Sequence, residues 1–197
     1  SSACAHDGEE VTGAVGKSVT FCLQSMDGQS ALWSFHAEAI AVVKFSDPPE
    51  TTFFDENFKP RLAFSEGGSA LTISQLRMED AGTYTAKITG VKTTFTFTLH
   101  VYRELAAPTV TCAARNCSAD GCRYALRCAA AGSGNVTYGW NVGDRLWRAG
   151  PVLLVEESPS DELQLTCTAQ NPVSSRNVTV VSLGALCAGK GCGRIHG

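Results

Sequence analysis

Leu76-Arg-Met-Glu-Asp-Ala-Gly-Thr-Tyr84 carries the signature of a two-sheet β-sandwich. Its last five residues have the Asp-x-Gly-x-Tyr form of a tyrosine corner, in which a buried phenol ties back to the backbone a few residues upstream. In a two-sheet antiparallel sandwich, a cysteine is expected two residues after that tyrosine, bonded to one on the facing sheet. That position is Ala86. Cys22 stands where the first-sheet cysteine belongs, and Trp33 where the packed core tryptophan belongs. The surroundings of the cross-sheet bond are therefore kept without the bond. Packing of Ala86, Trp33 and their neighbours has to replace about 2–5 kcal/mol that such a disulfide contributes.

Outward from this motif, short strand patterns recur between turn residues, and no stretch carries a convincing helical period. Lys17–Gln24, Ala31–His36, Ala39–Phe45, Arg61–Phe64, Ser69–Ser74 and Gly82–Ile88 read as strands. Thr93-Thr-Phe-Thr-Phe-Thr-Leu-His-Val101 alternates strictly, with Phe95, Phe97, Leu99 and Val101 on one face and threonines on the other. A new set of strands begins after the short Tyr102–Pro108 segment, and Cys128, Trp140 and Cys167 repeat the Cys…Trp…Cys spacing of an immunoglobulin-type sandwich. The fold class is all-β: a variable-type domain over 1–104 lacking the cross-sheet disulfide, a constant-2-type domain over 105–188, and a glycine-rich stalk over 189–197.

Composition fixes the setting. The 197 residues suit two small domains, and a formal charge of −3 with interspersed signs argues against a nucleic-acid partner. No apolar run reaches the roughly 20 residues of a membrane helix, and the start lacks a leader's layout, so any leader or anchor falls outside these residues. Nine cysteines point to an oxidising, extracellular setting. Three acceptor triplets, at Asn116, Asn135 and Asn177, agree with it, and all lie in the second half.

Cys22 needs a partner. If the first strand runs antiparallel to the second, a turn near Val15-Gly16 brings Cys4 beside it, giving a Cys4–Cys22 bond; the alternative is a buried free thiol at Cys22. In the second half, Cys128–Cys167 is the cross-sheet bond. A Cys122–Cys187 bond would tie the start of the second strand to the end of the last.

Leu76–Tyr84, Asn135-Val-Thr-Tyr-Gly-Trp140 and Thr166-Cys-Thr-Ala-Gln-Asn-Pro-Val-Ser174 together resemble the signalling lymphocyte activation molecule (SLAM) family. The resemblance covers nearly the whole chain. It implies a membrane-distal variable-type domain without the cross-sheet disulfide and a second domain with two. Ala86 and the pair Cys122/Cys128 fall where that pattern requires. Cys4, Cys22, Cys112, Cys117 and Cys192 depart from it; Cys117 and Cys192 could form a third bond near the bottom of domain two, leaving Cys112 as the odd thiol.

The residues offer little for catalysis. His6, His36, His100 and His196 share no ligand spacing, no nucleophile elbow is present, and the sandwich pattern already uses two of the clustered cysteines that could be mistaken for a zinc site. The expectation is no enzyme, no metal, no cofactor and no small-molecule substrate. With Trp33, Phe35, Tyr84, Ala86, Ile88, Phe95 and Phe97 inward, the front sheet of domain one presents Ser34, His36, Thr85, Lys87, Thr89, Thr94, Thr96 and Thr98. Val43, Lys44, Phe45 and Phe53 or Phe54 stand on the neighbouring strand and its edge. The resemblance implies that this sheet meets the same face of a family receptor, often its own copy, on another leukocyte, in adhesion and immune signalling. The alternative is a secreted or virus-encoded decoy of the same fold aimed at a different family member; a plain solvated face is the third reading.

Overall fold

The computed structural model describes residues 4–25, 27–131, 135–144, 146–157 and 163–189, and the chain divides into two units between Tyr102 and Arg103. The break falls two residues before the expected one because Arg103 and Leu105 are held by the second unit. Asn171 Nδ2 donates to the Arg103 carbonyl at 2.7 Å, and the Leu105 N–H donates to Ser174 Oγ at 2.9 Å.

The first unit is a sandwich of a six-stranded and a three-stranded sheet. The front sheet runs in the order β1 (Glu10–Ala14), β9 (Thr93–Tyr102), β8 (Gly82–Ile88), β3 (Ser30–Phe35), β4 (Glu38–Lys44), β5 (Glu50–Phe53). The back sheet runs β2 (Val19–Cys22), β7 (Ala70–Ile73), β6 (Leu62–Ser65). Only β1 and β9 pair in parallel within the front sheet, where the first strand joins the last.

The core answers the missing disulfide with aromatic rings. Phe21 stacks on Phe97 at 4.7 Å between centroids and on Trp33 at 6.1 Å, and tilts against Tyr84 at 5.3 Å. Ala86 is fully buried and pairs in register with Trp33 on one side and Phe95 on the other. This corrects the placing of Cys22: side chains alternate along a strand, so with Phe21 facing the core its neighbour faces away from it. Cys22 is bonded to Cys4. The segments meet in parallel rather than antiparallel, Ala5 N–H donating to the Thr20 carbonyl and Cys22 N–H to the Ala5 carbonyl. The chain then leaves β2's side at His6–Glu9 to enter the front sheet as β1.

The corner motif closes as its sequence requires. The Tyr84 hydroxyl donates to the Asp80 carbonyl at 2.6 Å. The Asp80 carboxylate accepts from both terminal nitrogens of the buried Arg61, at 2.5 and 2.9 Å, and from the Arg77 N–H at 2.8 Å. That hydrogen bonding to Asp80 holds the Arg61 guanidinium in its charged form against the cost of burial.

The second unit packs a sheet of β10 (Thr109–Ser118), β11 (Gly121–Ala129) and β14 (Val152–Glu157) against one of β13 (Leu146–Ala149), β12 (Thr137–Val142), β15 (Leu165–Asn171) and β16 (Ser174–Val180). Trp140 is fully buried beside the Cys128–Cys167 bond. The other two pairings correct the expectation. Cys187 bonds to Cys112, not Cys122, and Cys117 bonds to Cys122, not Cys192. Cys117 and Cys122 stand opposite each other at the end of the β10–β11 hairpin, so the local partner wins. The last strand stops at Val180, and the short helix α1 (Leu183–Leu186) carries Cys187 into the core against Cys112 on β10. Among the described residues eight cysteines are paired; Cys192, and all but the first residue of the expected stalk, lie outside them.

Candidate protein-binding face of the first domain

Strand register lays out the outer face of the front sheet row by row. Thr52, Val42, Leu32, Lys87 and Thr94 stand side by side across β5, β4, β3, β8 and β9. Next to this row lies Ala39, Ser34, Thr85, Thr96, and on its other side Glu50, Lys44, Ser30. The centre of the face is thus an apolar pair, Leu32 and Val42, half-buried by their neighbours and flanked by threonines and two exposed lysines, Lys44 and Lys87. On the β1 side Glu10 reaches the His100 ring at 3.7 Å, and Asp7 accepts from the Thr96 N–H at 2.7 Å. Leu32, Lys87, Ile88, Thr89, Gly90, Val91 and Lys92 line a shallow concavity of about 400 Å³ at the β8–β9 turn.

Most of the expected face residues stand here. Lys44, Lys87, Thr89 and Thr94 are exposed, and Ser34, Thr85, Thr96 and Thr98 are half-buried. Others are displaced. Val43 is fully buried in the core and Val42 takes the outward place. His36 sits in the β3–β4 turn with φ +48°, its ring 4.1 Å from that of Phe35, off the sheet face. Phe45 and Phe53 are half-buried against the core, whereas Phe54 is 56% exposed just past β5.

Sequence reasoning missed Leu32, Val42, Thr52 and Glu10. Leu32 was recoverable, since an inward Trp33 forces its neighbour outward. Val42 was not. β4 is apolar at both parities, and a register shift opposite Trp33/Ser34 buries Ile40 and Ala41 together. The strand's parity therefore cannot be carried through the bulge.

Comparison with known proteins places the chain. An immunoglobulin V-set domain profile matches residues 6–102. T-lymphocyte surface antigen Ly-9 of Homo sapiens is 34% identical over 198 residues, covering 93% of this chain and 30% of that protein. Human SLAM family member 5 is 35% identical over 190 residues, covering 90% of this chain and 54% of that protein. The chain thus spans about a third to a half of the length of these relatives. The crystal structure of the CD2-binding domain of CD58 superposes with a TM-score of 0.65 at 21% identity, covering 88% of this chain and 96% of that one, and speaks for the fold alone. A variable-type sandwich without its cross-sheet bond, a disulfide-rich constant-2-type sandwich following it in sequence, and these identities over nine-tenths of the chain make it a member of the SLAM family of the immunoglobulin superfamily.

Proposed function

We propose that this chain is the extracellular part of a leukocyte cell-surface receptor that binds protein through the front sheet of its first domain, with a second copy of itself as partner. The observation that carries the reading is the outer face of that sheet. Its Leu32–Val42 centre is ringed by threonines, with lysines beside it, and the domain has no glycan acceptor triplet. A small apolar centre in a polar surround suits a weak contact below about 1,200 Å². Such contacts act in number between two apposed surfaces. The second domain, stapled by three disulfides, carries Asn116, Asn135 and Asn177 in exposed positions and serves as a glycosylated spacer.

Sedimentation velocity of the two-domain chain from micromolar to millimolar concentration tests this reading. The expected result is a concentration-dependent dimer that Leu32→Asp abolishes. A monomer throughout would remove self-binding and direct the search to other receptors of the family.

A further inference from the structure

We infer that Trp147 of the second domain is the docking platform for an N-linked glycan carried by Asn177 of the same chain. Trp147 is 55% exposed, on the outer face of the β13-β12-β15-β16 sheet. A large exposed aromatic ring offers apolar area and a negative π-face to a ligand. Its ring is nevertheless fixed from below: a Cβ placed on Gly139 would lie 1.9 Å from both Cζ2 and Cη2 of the indole. The ring therefore lies flat on Gly139, one face against the backbone and the other open.

Register says what shares that face. Gly139 pairs with Thr168, and Thr168 pairs with Asn177. Trp140 on β12, Cys167 on β15 and Val178 on β16 all turn toward the core, so Gly139, Thr168 and Asn177 all turn outward. Two strand spacings separate Asn177 from the seat of the indole, about 10 Å, a separation of the order of a disaccharide. Only Thr168 lies between them in that row, so the path across the sheet is low. Asn177 and Thr179 are exposed, as the Asn-Val-Thr triplet requires, and the Thr179 hydroxyl is bonded to that of Thr166 at 3.1 Å.

The chemistry matches. The broad face of a pyranose ring presents C–H groups, slightly positive and apolar, and the indole face is negative. A single sugar–indole contact is weak, but a tethered sugar meets the ring at a high effective concentration. The attachment is made in the secretory pathway, where a transferase moves an oligosaccharide from a lipid diphosphate to Asn177 Nδ2. A C–N bond forms, and the lipid diphosphate and a proton leave. Covered in this way, the outer face of this sheet is closed to protein partners.

The test uses the full chain secreted from mammalian cells. Peptide mapping reads occupancy at Asn177, and acrylamide quenching of tryptophan fluorescence reads Trp147, because Trp33 and Trp140 are fully buried. The expected result is an occupied Asn177 and quenching that rises several-fold in Asn177→Gln, with no change in Asn116→Gln or Asn135→Gln. An unmodified Asn177, or equal quenching with and without its glycan, overturns the inference.

Discussion

The Phe21 ring stacks on that of Phe97 at 4.7 Å, joining the back sheet to the front sheet where a disulfide normally does so. Both rings are fully buried. Phe21→Ala should therefore cost about 3–5 kcal/mol, read as a lowered midpoint in chemical unfolding of the first domain. A loss below about 1 kcal/mol would mean that the aromatic stack is not what replaces the bond.

Arg61 and Asp80 bury a two-pronged ion pair beneath the tyrosine corner. Removing one partner leaves a buried charge alone, so Asp80→Ala should destabilise the domain by about 3–5 kcal/mol. Replacing both with apolar residues of similar volume should recover much of that loss. Thermal unfolding of the single and double variants gives the comparison.

Burial pushes the Tyr84 phenol well above its ordinary range. Because the folded protein holds the neutral form more tightly than the unfolded chain does, the stability contribution is complete below the unfolded pKa of about 10. It is lost as pH rises above that value toward the folded one. The first domain should therefore weaken above about pH 10. Tyr84→Phe should flatten that alkaline fall while costing about 1 kcal/mol at neutral pH for the lost bond to Asp80. Stability curves of the two proteins across alkaline pH decide it.

Cys4–Cys22 closes a loop over a sequence separation of 18, outside the aromatic core. Changing both to serine should lower the stability of the first domain by about 3 kcal/mol and leave the front face unaltered. Unfolding midpoints measure the first effect, and self-association of the folded variant the second.

Val42 and Val43 give the sharpest contrast between face and core. Val42→Asp should remove binding and leave folding nearly unchanged. Val43→Asp buries a carboxylate in the core and should unfold the domain. Circular dichroism with a sedimentation run separates the two outcomes.

Much of this was legible in the sequence, and the failures share a physical form. The corner motif, the strict alternation of β9 and the Cys…Trp…Cys spacing of the second half each depend on neighbours along the chain, and each led to the right element. Cys22 bonds to Cys4 as the sequence predicts, but its place differs, because residue type there points to the core whereas Phe21 beside it fills that position. The pairings of Cys112, Cys117, Cys122 and Cys187 depended on a hairpin end and a helical turn that no periodicity marks. On the candidate face, threonines that alternate with buried aromatics were readable, whereas Val42 lay beyond a bulge and His36 in a turn. Exposure alone, without register, could not bring Leu32, Val42 and Lys87 into one row.

Binding is proposed for the outer face of β8, β3 and β4. Amide chemical shifts of the two-domain chain, followed from dilute to millimolar concentration, test it most directly. Concentration-dependent shifts centred on Leu32, Val42, Thr85, Lys87 and Thr96, absent in Leu32→Asp, are expected. Shifts centred on the back-sheet strands β2, β6 and β7, or on the second domain, would contradict it.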